Sequence, residues 1–167
     1  MQHHWRTEKI VSLEEAGKLS EELKAKGKTV VTLNGSFDLL HAGHLDVLEE
    51  AKQQGDVLFV MINSDDSIKA KKGDSRPIIE QEYRAAMLAG LVCVDYVIIV
   101  DSDYDSEPHG TFLPTVKPDV HVNAGDYGDP EKWVEWPMMQ EIGAQAHYVA
   151  IRPGFSTSDI VKKIKES

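Results

Sequence analysis

Two histidines, His41 and His44, stand three residues apart with Gly43 between them. They close the stretch Asn34-Gly35-Ser36-Phe37-Asp38-Leu39-Leu40-His41-Ala42-Gly43-His44, which leaves an apolar run and enters an amphipathic one. Such a stretch joins the carboxyl end of a strand to the amino end of a helix, where unpaired amides and the helix dipole favour anions. Gly43 has no side chain, so a ligand can approach the backbone there. Imidazole nitrogens and main-chain amides so arranged would hold a triphosphate. The loop is not a Walker loop, because no Gly-Lys-Ser/Thr follows, and the Gly-x-Gly-x-x-Gly dinucleotide pattern is missing too. Zinc would need a third ligand at suitable spacing, and none is near. The bland alternative is a pair of ordinary polar residues opening a helix. Asp38 reads either as an acid–base residue or as a helix cap.

Three further clusters bear chemistry. Lys69, Lys71, Lys72 and Arg76 crowd into eight residues, and one or two of those lysines can bring mobile positive charge to reacting phosphates. The alternative is a solvated, lysine-rich helix end. Arg152-Pro153-Gly154-Phe155-Ser156-Thr157-Ser158-Asp159 again leaves a strand, turns at glycine and opens a helix with hydroxyls. Amides, hydroxyls and the forked Arg152 guanidinium suit phosphate oxygens there; plain N-capping by Ser156 or Ser158 is the competing role. In Val122-Asn123-Ala124-Gly125-Asp126-Tyr127, Gly125 permits close approach of a base or ribose and Asp126 can accept a hydrogen bond from either. Trp133 and Trp136 suit either stacking on a sugar or base, or half-buried packing.

These clusters need elements to position them. Ser12 and Glu15 form a capping box, and Leu13, Ala16, Leu19 and Leu23 follow at helical spacing to Gly27. Short apolar runs predict strands over Thr29–Leu33, Val57–Ile62, Tyr96–Val100, Val120–Val122 and His147–Ile151. Helices are predicted from about His44 to Gly55, from Asn63-Ser64-Asp65-Asp66 onward, over Glu80–Leu91, over Glu131–Ile142 with an interruption at Pro137, and over Ser158–Lys165. Lys69 to Pro77 reads as a polar basic loop, and the stretch with Pro108, Gly110, Pro114 and Pro118 as irregular. Strands alternating with helices predict an α/β fold: a Rossmann-like, three-layer α/β/α arrangement with a parallel sheet of about five strands. Ligands of such sheets bind beyond the strands' carboxyl ends, where strand order reverses. A length of 167 residues fits one domain spanning 1–167, with 1–27 as a helical N-terminal extension.

Composition excludes several classes. Lys and Arg total 18 against 28 Asp and Glu, a net charge of −10, which opposes long-range attraction to nucleic acid or an anionic membrane. Hydrophobic residues reach 41%, enough for a core. No apolar run approaches the roughly 18 residues that span a bilayer, and the opening residues lack a signal peptide's apolar stretch; a cytoplasmic protein is expected. The single cysteine, Cys93, excludes an intrachain disulfide and reads as a buried thiol. His3-His4 lacks companions for a metal site, and His109, His121 and His147 read as structural or surface residues.

Gly35-Ser36-Phe37-Asp38-Leu39-Leu40-His41-Ala42-Gly43-His44 resembles the signature of the small nucleotidyltransferases of the cytidylyltransferase-like superfamily. Asn63-Ser64-Asp65, Lys72-Gly73-Asp74-Ser75-Arg76-Pro77, Gly125-Asp126-Tyr127 and Pro153-Gly154-Phe155-Ser156-Thr157-Ser158 resemble a narrower group, the ADP-heptose synthase adenylyltransferases. The likeness runs from about Lys28 to Lys165. It implies attack by a sugar phosphate on the α-phosphorus of ATP, with Mg2+ on the phosphates and pyrophosphate released. It implies that His41 and His44 contact the triphosphate, that amides at Ser36 and Phe37 hold the α-phosphate end, and that Lys69 and Lys72 reach the phosphates, with Lys71 a rival in register. Arg152 falls where related enzymes carry a triphosphate-binding arginine, and for Asp38 the resemblance implies a substrate contact or a loop-fixing group. The chain departs from the group at Asn123, commonly lysine, and at Ser36, frequently cysteine. Two other readings stand beside this one: a CTP-dependent enzyme acting on glycerol 3-phosphate or a related polyol phosphate, and a nucleotide-binding module without turnover. A homodimer is expected, because small α/β chains often cover exposed apolar faces that way.

Overall fold

The computed structural model describes residues 5–101, 110–125, 128–150 and 157–167. Five parallel strands, β1 (Val30–Gly35), β2 (Val57–Asn63), β3 (Tyr96–Val100), β4 (Val120–Ala124) and β5 (Gln145–Val149), lie side by side in the order β3-β2-β1-β4-β5. Strand order therefore reverses at β1, which pairs with β2 on one side and β4 on the other. The crevice beyond the carboxyl ends of β1 and β4 is the place where this topology binds ligands.

Among the described residues seven α-helices accompany the strands: α1 (Leu13–Ala25), α2 (Ala42–Lys52), α3 (Asp65–Lys72), α4 (Gln81–Ala89), α5 (Phe112–Val116), α6 (Trp136–Ile142) and α7 (Thr157–Lys165). Period-two alternation sends Val31 and Leu33 of β1, with Val60 and Ile62 of β2, to one face, where Val47, Leu48 and Ala51 of α2 and Ala85 and Leu88 of α4 cover them. Val30, Phe59 and Met61 face the other way, onto Ala16 of α1, Phe112 and Leu113 of α5 and Met139 of α6. Helix α1 belongs to that second layer: Ala16 is buried, and the Ser20 hydroxyl donates to the Val116 carbonyl at 2.6 Å. The expected Ser12–Glu15 capping box is present in both directions.

Several boundaries differ from expectation. The basic stretch predicted as a loop is helical as far as Lys72, because Ser64 caps α3 and its acidic first turn and lysine-rich last turn both suit the dipole. Pro137 does not interrupt a long helix; it occupies the first turn of α6, where its missing N–H costs nothing, and a separate 3-10 turn covers Pro130–Lys132. The irregular stretch contains α5, with Pro114 inside its first turns. Strand β5 starts two residues earlier than predicted. Cys93 is half-buried rather than enclosed, and burial pushes its thiol pKa up. Among the described residues no helix is long and apolar enough to cross a membrane.

Candidate functional site

Strand β1 ends at Gly35, where a Cβ would lie 2.9 Å from the Phe37 ring. Phe37 follows with φ of 47°, a left-handed backbone unusual for a bulky residue. That turn tucks the Phe37 ring into the core and sets it 5.0 Å from the His44 ring. Helix α2 begins sooner than predicted, at Ala42, because His41 itself is the N-cap: its backbone is extended and its Nδ1 accepts from the His44 amide at 3.3 Å. With Nδ1 occupied as an acceptor, the neutral His41 ring carries its proton on Nε2, a donor. The two imidazoles stack, centroids 3.8 Å apart and planes at 17°.

Burial lowers the His41 pKa. It lowers that of His44 to about 4, and the neighbouring His41 charge pushes the same way. Both rings are therefore neutral donors at neutral pH in the unliganded protein, and an anion beside them would draw protons onto them.

Lys72, the last residue of α3, donates from Nζ to the Ser36 hydroxyl at 3.0 Å. The cation and the hydroxyl at the head of the histidine loop thus share one edge of the sheet. Lys69 does not join them. Its ammonium sits 3.5 Å from Asp66 of the preceding turn, and it lines a separate depression of about 300 Å3 with Asp65, Glu82 and Asp101. Lys71 also lies on the last turn of α3.

The Asp38 carboxylate is 2% exposed and fully committed. One oxygen accepts from the amides of Ile78 and Ile79 at 2.7 and 2.9 Å, and the other meets Arg76 Nε at 2.6 Å. Of the roles open to it, this geometry favours loop fixing: both oxygens contact groups of the protein, and neither caps a helix. Arg76 is engaged in the same pairing.

Arg84 escaped the sequence reading, which saw only the alanines and leucines around it. Its guanidinium is fully buried and donates from Nε to the Ile79 carbonyl at 2.9 Å, from one terminal nitrogen to the Ser36 carbonyl at 2.6 Å, and from the other to the Asn63 carbonyl and Asp65 carboxylate at 2.8 and 2.7 Å. The ends of β1 and β2, the start of α3 and the approach to α4 are held by this one fork. The available signal was its place one turn before buried Leu88.

Gly125 follows β4 with φ of 85°, a conformation that suits glycine, and its carbonyl accepts from the Tyr148 hydroxyl at 2.8 Å. Gly43 is buried within the first turn of α2. Trp133 is a core residue, its indole N–H bonded to the Gly128 carbonyl, and Trp136 packs half-buried against the same cluster. Thr157 opens α7. Asp126, Arg152 and Ser156 lie outside the described residues. Among the remaining expected site residues, Ser36, Phe37, His41, Gly43, His44 and Lys72 converge at the carboxyl edge of β1.

A family model described as cytidylyltransferase-like matches residues 32–163. The chain is 41% identical over 163 residues to the bifunctional protein HldE of Geobacter metallireducens, covering 98% of this chain and 32% of that protein. The HldE of Helicobacter acinonychis is 42% identical over 159 residues, with 95% and 32% covered. The chain thus spans about a third of the length of the curated relatives it matches. Among solved structures, a lipopolysaccharide core biosynthesis protein from Thermoplasma volcanium superposes with a TM-score of 0.56 at 29% identity, covering 75% of this chain and 98% of that one. Pantoate-β-alanine ligase from Francisella tularensis gives 0.61 at 15% identity, covering 95% and 78%, and carries the likeness of fold alone.

Proposed function

The chain belongs to the cytidylyltransferase-like family, and from that premise we propose that it is an adenylyltransferase, moving AMP from ATP to a sugar 1-phosphate. D-glycero-β-D-manno-heptose 1-phosphate is the acceptor we assign. The observation that carries the reading is the pair of stacked, uncharged imidazoles at the amino end of α2, with the Lys72–Ser36 contact on the same sheet edge. Similarity to proteins named HldE and to a lipopolysaccharide core biosynthesis protein directs the choice of acceptor.

In the proposed reaction an oxygen of the sugar phosphate bonds to the α-phosphorus while the bond to the bridging oxygen breaks, its electron pair leaving with pyrophosphate. The nucleophile is already anionic and needs no base, which accords with an Asp38 sealed in its loop. Alignment and charge neutralisation then dominate the barrier. His41 and His44 would donate to the triphosphate, amides at Ser36 and Phe37 would hold the α-phosphate, and Lys72 would exchange its Ser36 contact for phosphate oxygens. Arg152, Ser156 and Thr157 would bind phosphate oxygens, and Gly125 with Asp126 would contact the base or ribose. Among the described residues no three carboxylates, imidazoles or thiols converge on a metal site; magnesium would arrive as part of the nucleotide substrate, as this hard cation does with phosphates.

Incubation with heptose 1-phosphate, ATP and magnesium should release pyrophosphate. No release with any sugar or polyol phosphate, across all four nucleoside triphosphates, would remove the reading. Asn123, where the heptose group commonly has lysine, keeps a second one in view: CTP with glycerol 3-phosphate. Base preference in the same assay separates the two.

A further inference from the structure

The face of the sheet covered by α1, α5 and α6 is apolar except at its centre. There Thr32 of β1 lies beside His121 of β4, in register, and its hydroxyl meets His121 Nδ1 at 2.8 Å. One residue beyond the next pair, Leu33 and Val122, come Asn34 and Asn123, on the same face as Thr32 and His121 by strand alternation. His121 is 0% and Asn123 2% exposed. Three buried atoms in this stripe have no hydrogen-bond partner: Asn34 Oδ1, His121 Nε2 and Asn123 Nδ2. Leaving a buried polar atom unpaired is unfavourable, and natural cores keep such groups scarce. Three on adjacent positions of two neighbouring strands form a pattern, and it sits where the stripe meets the switch point, one residue before the histidine loop departs from β1.

We infer that Asn34, His121 and Asn123 form a neutral subsite for the hydroxyl groups of the acceptor. The inference rests on the proposed transferase reading and deepens it. A phosphate would be served by cations; uncharged amides and an imidazole that burial keeps neutral suit a polyol instead, offering both donors and acceptors. The buried Trp133 ring meets the His121 ring T-shaped, centroids 6.4 Å apart, and bounds the stripe on that side. The two faces of the crevice thereby divide the labour: the α2 side takes the triphosphate, and the opposite face takes the carbon chain of the acceptor.

The test uses the parent protein, Asn123→Leu and Asn34→Ala, with heptose 1-phosphate, and separately glycerol 3-phosphate, titrated by calorimetry, and with pyrophosphate release followed in parallel. Each substitution should weaken acceptor binding by about tenfold, the loss of one net hydrogen bond, while ATP affinity stays within about twofold of the parent. Asn123→Leu should unfold at the same temperature or higher, because it removes an unpaired amide. Parent-like acceptor affinity in a folded variant would overturn the subsite and point to ordered water as its occupant, as would a parent protein that binds neither probe. A parent that binds acceptor and loses it on substitution, yet releases no pyrophosphate, would sink the transferase reading and leave the subsite standing. Should one variant fail to fold, the other carries the same expectation.

Discussion

The Arg84 guanidinium donates to the Ser36 carbonyl at 2.6 Å and, through its other arm, to the Asp65 carboxylate at 2.7 Å. The backbone that heads the histidine loop and the first turn of the lysine-bearing helix are thereby fixed to one buried cation. Cutting such a charge from its partners takes the cation from Asp65 and a donor from three carbonyls. Arg84→Ala should cost about 3–5 kcal/mol of stability, measured by denaturant unfolding. Arg84→Lys should recover only part of it, because a point charge cannot span the fork. A loss below about 1 kcal/mol for Arg84→Ala would refute the clamp.

Asp38 separates two roles cleanly. In Asp38→Asn the side-chain oxygen can still accept from Ile78 and Ile79, while the ion pair with Arg76 is lost. The unfolding midpoint should fall and turnover should drop by less than about tenfold. A proton-transferring acid would instead lose on the order of a hundredfold or more, so a fall of that size with parent-like stability would return Asp38 to the chemistry.

Lys72 and Lys69 lie on the same short helix with different partners, Ser36 for one and Asp66 for the other. Lys72→Ala should lower kcat/KM by at least about tenfold, as removal of a transition-state cation does, whereas Lys69→Ala should stay within about threefold. Steady-state kinetics on the two variants decide it, and equal losses would contradict the division.

His44→Ala should cut turnover by on the order of a hundredfold or more, with circular dichroism unchanged. Its low pKa, near 4, adds a second readout. Polyphosphate bound beside the stacked rings raises their affinity for protons, so nucleotide binding should take up protons in the window between about 4 and the higher bound-state value, and tighten as pH falls through it. Calorimetry in buffers of different ionisation enthalpy should report that uptake in the parent and less of it in His44→Ala.

Much of the scaffold was legible because its signals are local. Apolar β-branched runs mark Val30–Gly35 and Val57–Asn63, Ser12 and Glu15 announce α1, and the His41–His44 spacing fixes the loop worth watching. What stayed hidden depends on contacts between distant segments. Nothing near Asp38 reveals that its partners would be Arg76, Ile78 and Ile79, and Arg84 looks like any helix arginine until the ends of two strands close around it. His121 stood alone in the sequence; only pairing of β4 with β1 brings it to Thr32. Lys69 and Lys72 were equivalent until the helix rotated them onto different neighbours.

His121 also makes stability depend on acid. It is enclosed between the sheet and Trp133, and burial drops its pKa to about 3, while burial and His41 drop that of His44 to about 4. Both rings bind protons more readily unfolded, where their pKa is about 6.5. The unfolded state therefore gains protons first as pH falls, and stability should decline from about pH 6.5 towards pH 4, with no such dependence above pH 7.5. Unfolding in urea at pH 7.5 and pH 5 should show the lower midpoint at pH 5. His121→Leu removes one of the buried titrating rings and should flatten the decline; an unchanged slope in that variant would show that His121 is not held neutral by burial.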